Sequence, residues 1–223
     1  NLKDPRLIEA ILVSFRTTTV ALIITILFGT PLAFVLAWGR FPIQRAVDTL
    51  VELPTVLPPA VAGVALLLAF GRRGLVGQYL DILGLQIAFT QVAVIMAQIF
   101  VAAPYYVRTV TLAFGRVDRE QIQSAAMDGA NSFQIARRMV IPLSWTALVT
   151  GSALMWARAL GEFGATIIFA GNLPGVTQTM PLAIYLDFEV NMDAAVVLSV
   201  VLITISFLVL LFIKGFVHYR GLE

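Results

Sequence analysis

The residues that could make or break covalent bonds are few in this sequence of 223 residues. It contains no cysteine, and its single histidine, His218, lies in the C-terminal tail. These counts exclude disulfides, thiolate nucleophiles, metal clusters that need cysteine or histidine, and a Ser-His relay. Neither lysine, Lys3 or Lys214, follows a Gly-x-x-x-x-Gly pattern, so no nucleotide-binding P-loop is present. We therefore expect a protein that is not an enzyme and holds no cofactor of its own.

One pair of ionisable residues has a spacing that indicates an interaction. Arg158 and Glu162 are four residues apart and share one face of a helix. An ionisable pair at the end of a membrane helix is costly unless the two groups compensate each other, and it is a candidate for function by default. The alternative is a structural ion pair that fixes the helix near a gate.

The composition places these residues in a membrane protein. Hydrophobic residues make up 59% of the chain and charged residues 13%, and the mean hydropathy is +0.91. This balance excludes a soluble enzyme or a disordered chain. The formal net charge of +2 does not indicate nucleic-acid binding, because basic loops orient membrane proteins. Asp4 and Glu9 interrupt the start of the chain, so the pattern does not predict a cleavable signal peptide.

Long charge-free intervals predict the membrane spans. Six intervals are found, at 17–39, 53–71, 82–107, 139–157, 163–186 and 194–213. Five of them read as helices that are long enough to cross a bilayer. The interval 163–186 contains Gly171, Pro174, Gly175 and Pro181, so we read it as the end of a span, a turn near 171–175 and a short return segment at 180–186. The fold class is thus all-α and polytopic, with about five transmembrane helices in a single domain, 1–223.

The distribution of basic residues predicts the orientation. With five spans, one side holds eight basic residues and the other side holds four. The first group is Arg40, Arg45, Arg116, Arg119, Arg137, Arg138, Lys214 and Arg220; the second is Lys3, Arg6, Arg72 and Arg73. The positive-inside rule then places the N-terminus outside and the C-terminus in the cytoplasm.

The longest cytoplasmic loop, about 115–142, has the signals of two short helices. Asp118 can cap a helix that runs through Ala126, and Gly129 breaks it. Asn131 or Ser132 can begin a second helix that ends near Arg137 and Arg138. Small residues at 124–126 and 129–130 leave a surface that another protein can approach closely.

This loop resembles the EAA loop of ATP-binding-cassette (ABC) importer permeases, in which E-A-A, three residues, G, nine residues and I-x-L-P follow one another. Gln123, Ser124 and Ala125 stand at E-A-A, Gly129 stands at the glycine, and 139–142 ends in Pro142 at the position of I-x-L-P. In that family the loop is a coupling helix that enters a cleft of the ATPase subunit. The alternative is a helix that only lies on the membrane surface.

A second resemblance concerns the cargo. Segment 157–185, ARALGEFGATIIFAGNLPGVTQTMPLAIY, is similar to molybdate permeases, and its R-x-L-G-E-F-G core is shared with sulfate permeases. Segments 53–63, LPTVLPPAVAG, and 69–74, AFGRRG, are similar to the same branch. Together the similarities extend from the first span to about Tyr185.

The resemblance implies the permease subunit of a type I ABC importer for molybdate or tungstate in the cytoplasmic (inner) membrane. Its partners would be two ATPase subunits that hold ATP and Mg, an external oxyanion-binding protein, a second copy of the chain, and membrane lipid, with no nucleic acid. Candidate residues of the translocation pathway or gate are Arg158, Gly161, Glu162, Gly164, Thr166, Thr177 and Thr179. The threonines and nearby amides could donate hydrogen bonds to an oxyanion, or they could serve helix packing and turn formation.

Three alternatives stay open at this point. A sulfate or thiosulfate permease of the same class has a similar core motif. An ATP-independent channel or a secondary transporter would use similar helices, and we would then expect acidic residues or broken-helix repeats in midspan.

Overall fold

The computed structural model describes residues 4–39 and 42–219, with side chains through 212. Within these ranges the regular structure is helical, and no strand is present. Lys3, Arg40 and Arg220, together with the side chains of Lys214 and His218, lie outside the described residues. The part of the charge count that depends on them stays a prediction.

Twelve helices are described between residues 5 and 219. They are α1 (Pro5–Trp38), α2 (Gln44–Val56), α3 (Pro59–Phe70), α4 (Gly77–Ile82), α5 (Gln91–Gly115), α6 (Arg119–Met127), α7 (Ser132–Ile135), α8 (Ile141–Leu143), α9 (Trp145–Leu160), α10 (Gly164–Phe169), α11 (Met180–Val190) and α12 (Met192–Tyr219). A wide π turn, Ala136–Val140, joins α7 to α8.

Among the described residues, three helices are long and apolar enough to cross a membrane: α1, α5, and α12 over Met192–Phe212. The segments Ser132–Leu143 and Trp145–Leu160 make a fourth span if the 77° bend between them is counted within one crossing. The prediction of an all-α, multi-pass membrane protein is confirmed. The number of full-length spans is smaller than the five expected from charge-free intervals, because the second and fourth intervals are bent or divided.

The second predicted span, 53–71, is divided between α2 and α3. The backbone leaves the helical region at Leu57 and Pro58, and α3 begins at Pro59. Pro58 and Pro59 cannot donate hydrogen bonds to the preceding turn, and Pro58 also disfavours a helical conformation at Leu57. α3 has 12 residues, about 18 Å at the helical rise, and is too short to span alone.

The other bounds also shift for local reasons. α1 begins at Pro5 rather than at 17, because the Asp4 carboxylate accepts a hydrogen bond from the Arg6 amide at 3.0 Å. α5 begins at Gln91 rather than at 82, after a cap in which the Thr90 hydroxyl accepts from the Ala93 amide. α5 also continues past Arg108 to Gly115, so an arginine does not end this span.

The interval 163–186 folds as the sequence predicts. α10 has only six residues, and the chain then turns through Gly171 and Gly175, whose φ angles are +72° and +71°. Positive φ favours glycine, which explains these two residues at the turn. The return segment is α11, and its first amide, at Met180, donates to the Ser14 hydroxyl of α1 at 2.7 Å. That bond fixes the return segment against the first helix.

α1 and α5 form the centre of the bundle. They approach closely at Gly29, where a Cβ atom would lie 3.2 Å from the Tyr106 ring and from Val107. Beside this contact, Thr30 and Tyr106 share a hydrogen bond of 2.6 Å between their hydroxyls. The buried core around these helices extends to Ile135 in the loop before α9. α9 and the loop are thus positioned by one continuous apolar core.

Candidate functional site

The loop between α5 and α9 has the helix signals that its sequence predicts. The Asp118 carboxylate accepts from the Glu120 amide at 2.9 Å and begins α6. Asn131 and Gln134 form a capping box at the start of α7, since each side chain accepts from the other residue's amide at 2.9 Å. The expected pair of short helices is confirmed in position, although the second is four residues long and continues into the π turn.

Gly129 ends α6 in a left-handed conformation, with φ +87°. The Ala130 amide donates to the Ala125 carbonyl at 3.0 Å, and the Gly129 amide donates to the Ala126 carbonyl at 3.1 Å. This pair of bonds is the Schellman arrangement, which satisfies the last carbonyls of a helix. A Cβ atom at Gly129 would meet nothing within 4 Å in the described chain. Glycine is therefore suited to this position by its backbone conformation, while the space around it is open.

The two faces of the loop differ. Ile122, Ala125 and Ala130 pack against the core that contains α1 and α5. Elsewhere in the loop, Gln123, Ser124, Gly129 and Pro142 are exposed, as are two large apolar side chains, Met127 at 81% and Phe133 at 71%. Of the candidate coupling residues, Ala125 thus lies towards the protein, and the other four lie on the surface. The sequence analysis did not single out Met127 and Phe133, although Met127 is one helical turn after Gln123.

A cation–π contact joins the loop to the end of α1. The guanidinium of Arg119, at the start of α6, lies 5.7 Å from the centre of the Trp38 ring. Such contacts stabilise by about 0.5–1 kcal/mol at exposed sites and more where water is excluded. α6 is therefore attached both by its apolar face and by its first residue.

The second candidate site lies where α9 ends and α10 begins. The Arg158 guanidinium and the Glu162 carboxylate are 2.7 Å apart, and the Glu162 side chain is almost fully buried. The second carboxylate oxygen accepts from the Ala165 amide at 2.9 Å. Glu162 therefore neutralises Arg158 and also satisfies a free amide at the start of α10. This geometry supports the structural role, but Arg158 itself stays 28% exposed.

The three candidate threonines lie inside the folded chain rather than on its surface. Thr166, Thr177 and Thr179 are buried. The Thr177 hydroxyl accepts from the Leu173 amide and closes the turn before α11. Among the described residues, the hydroxyls of Thr166 and Thr179 have no hydrogen-bond partner. None of the three faces the outside of a single chain.

The two candidate glycines differ in their surroundings. Gly164 lets α10 approach α3, since a Cβ atom there would lie 2.8 Å from the Cβ atom of Pro59. Gly161 is exposed, and a Cβ atom there would lie 3.8 Å from its nearest neighbour, the Ala157 carbonyl. Leu154 and Gly161 are exposed and Arg158 is partly exposed, and the three follow one another at helical spacing along α9 and its C-cap. The structure thus leaves Arg158 and Gly161 as the candidates on an open face.

A further charged cluster was missed by the sequence analysis. Arg108 of α5 lies 2.8 Å from Glu52 and 3.7 Å from Asp48, both on α2, and all three side chains are partly exposed. The charge-free rule treats Arg108 as the end of a span. Its partners belong to another helix, more than 50 residues earlier in the chain. Only the packing of α2 on α5 identifies them.

Comparison with known proteins gives a consistent result. Residues 26–219 match the family model described as "Binding-protein-dependent transport system inner membrane component". The chain is 45% identical over 202 residues to the "Molybdenum transport system permease protein ModB" of Mycobacterium tuberculosis, covering 91% of this chain and 76% of that protein. It is 37% identical over 185 residues to the protein of the same name from Escherichia coli K12, covering 82% and 80%. A "Probable sulfate transport system permease protein cysT" of Chlorokybus atmophyticus is 34% identical over 216 residues, covering 96% and 75%.

Solved structures share the fold. The MetNI methionine ABC transporter in inward-facing conformations matches with a TM-score of 0.74 and 20% identity, covering 96% of this chain and 95% of that one. A bacterial ABC transporter that imports the acidic polysaccharide alginate matches with a TM-score of 0.74 and 18% identity, covering 100% and 82%. At these identities the likeness concerns the arrangement of helices alone.

Proposed function

The chain belongs to the family of binding-protein-dependent transport system inner membrane components, and from this membership we propose that it is the permease subunit of a molybdate importer. The observation that supports the cargo is the 45% identity to a molybdenum permease over 91% of the chain, against 34% for a sulfate permease. Tungstate has the same tetrahedral form and charge as molybdate and is transported by the same pathway. The subunit moves its cargo and performs no covalent chemistry.

ATP and Mg are bound by separate ATPase subunits that dock on the loop of α6 and α7. The exposed side of that loop, with Gln123, Ser124, Gly129 and Pro142, supports this assignment, as do the apolar side chains of Met127 and Phe133. An exposed apolar pair on a helical loop is suited to a groove in a partner protein. ATP binding draws the two loops together and favours the outward-facing state, and hydrolysis returns the inward-facing state.

Two copies of the chain surround the pathway. α3 is buried on the side that meets α10, and its other side exposes Val61, Val64, Ala65 and Leu68 at helical spacing. A second permease chain would cover this apolar stripe and enclose a path that one chain leaves open. The N-terminus lies outside, where an oxyanion-binding protein delivers the cargo, and the C-terminus lies in the cytoplasm.

Uptake into proteoliposomes tests this proposal. The permease is reconstituted with its ATPase and binding protein, and ATP-dependent uptake of labelled molybdate is measured with tungstate, sulfate or phosphate as competitor. We expect tungstate to block uptake and sulfate to leave it unchanged. Inhibition by sulfate at similar concentration would reassign the cargo to sulfate. Equal anion flux with and without ATP would reject the importer.

A further inference from the structure

Arg158 lies in the last turn of α9, within a segment that counts towards the fourth span. α9 begins at Trp145, directly after the cytoplasmic loop, and Arg158 is 13 residues further along the helix. At the helical rise this corresponds to about 20 Å, or roughly two-thirds of a hydrocarbon layer of about 30 Å. An arginine at such depth faces the protein interior or a water-filled cavity, because contact with lipid tails is costly.

The face of α9 that carries Arg158 is partly open in the single chain. Its other sides pack against α5, α1 and α12. Leu154 and Gly161 are exposed and Arg158 is partly exposed, so part of this face is available to water or to a second copy. A water-filled path next to Arg158 is consistent with both the depth and the exposure of the side chain.

The two groups of the ion pair differ in how many of their hydrogen-bonding atoms have partners. Glu162 is buried, and each of its oxygens has a partner, the Arg158 guanidinium and the Ala165 amide. A guanidinium carries five N–H donors, and among the described residues Glu162 is the polar partner of Arg158. The ion pair therefore leaves donors of the guanidinium for a further partner, and the planar fork of a guanidinium suits an oxyanion.

On the basis of the proposed function, we infer that Arg158 binds the oxyanion directly during its passage and that Glu162 is a positioning residue that limits the strength of this binding. A free arginine at this depth would hold a doubly charged anion too firmly for release. The buried carboxylate offsets one positive charge and fixes the guanidinium, so the anion meets oriented donors with little net attraction. Transport requires such contacts, which are favourable enough for entry and weak enough for exit.

The decisive measurement is the number of molybdate ions imported per ATP hydrolysed, in proteoliposomes with the ATPase and loaded binding protein. The double variant Arg158→Gln/Glu162→Gln removes both charges and leaves no buried carboxylate unpaired. We expect its ratio to fall by about tenfold or more, as for the loss of charged hydrogen bonds, while ATP hydrolysis continues. Arg45→Gln, which removes an exposed arginine of α2, is the matched control and should keep the wild-type ratio.

If the pair serves only to join α9 to α10, the double variant should keep the wild-type ratio. That result would overturn the inference. Failure of the wild-type complex to import molybdate with ATP would instead reject the proposed function, so the two failures are distinguishable.

A second measurement does not depend on changing the pair. The chain has no cysteine, and Gly161 has space for a side chain next to Arg158. We expect Gly161→Cys to react with an anionic methanethiosulfonate reagent, and molybdate to slow the reaction in the assembled complex. Phe207→Cys, on the exposed apolar surface of α12, should not react. No reaction at 161, or a rate that molybdate does not change, would place Arg158 away from the anion and overturn the inference.

Discussion

Substitutions at Gly129 test whether the backbone conformation of the loop affects binding of the ATPase. Its φ of +87° closes the end of α6, and nothing lies within 4 Å of the place where a Cβ atom would be. Gly129→Ala therefore introduces no clash within the chain but disfavours the left-handed turn by about 1–2 kcal/mol, so the loop relaxes locally in the free permease. On the proposal that the ATPase docks on the observed turn, its dissociation constant should rise by about 5- to 30-fold.

The comparison with Gly129→Asn separates conformation from size. Asparagine is larger than alanine but adopts positive φ more readily. If the backbone decides docking, the asparagine variant should bind the ATPase more tightly than the alanine variant. If instead glycine is needed because a small residue enters the ATPase cleft, as its sequence position suggests, the order should be reversed.

Binding is measured by titrating labelled ATPase into permease held in lipid nanodiscs. Thermal unfolding of each variant in detergent is the control for global damage, and we expect all three proteins to unfold at similar temperatures. Wild-type affinity in the alanine variant would refute the reasoning, since the strained turn would then contribute nothing to docking. A Gly129→Trp variant extends the series, and retained coupled transport in it would exclude close approach of the ATPase at this position.

Two further predictions concern the stability of the helix contacts. Arg108→Gln should lower the free energy of unfolding by about 1 kcal/mol, because partly exposed ion pairs contribute little. Adding Asp48→Asn and Glu52→Gln to this variant should not lower the free energy of unfolding further. An additional loss in the triple variant, measured by unfolding in detergent, would contradict this coupling. Gly63→Ala should destabilise by about 1–3 kcal/mol, since its Cβ atom would lie 2.8 Å from a backbone oxygen of α10. Gly161→Ala, with space for the new atom, is the matched control and should leave the unfolding temperature within error of the wild type.

Local signals in the sequence were sufficient for the loop. Asp118, Gly129 and Asn131 each act on backbone groups within a few residues, so their effects can be predicted without knowing the rest of the fold. The broken interval at 163–186 could be predicted for the same reason. Prolines were less informative, because Pro31 and Pro104 lie inside helices while Pro58 ends one. Neighbouring helices can satisfy the groups that a proline frees, and this compensation is not visible in one segment.

The contacts between distant segments could not be predicted. Arg108 ended a predicted span because a lone cation is costly in a membrane, yet Glu52 and Asp48 on another helix compensate it. Thr166 and Thr179 are buried within the chain by the packing of α10 and α11, and their residue type does not indicate this burial. Burial depends on which helices meet, and hydrophobic periodicity alone does not determine this.

The packing between the two candidate sites explains how one can act on the other. The core that holds Ile135 and Val140 of the loop also contains Met155 and Ala159 of α9, and Ala159 adjoins Arg158 in the chain. Protein interiors are close-packed, so a displacement at one end of such a core shifts the residues at the other end rather than being absorbed. The loop also contacts the end of α1 through Arg119 and Trp38. A closure of the ATPases that draws the loops together would therefore change the position of the turn that carries Arg158 and Glu162, and the anion contact would open or close with the loop.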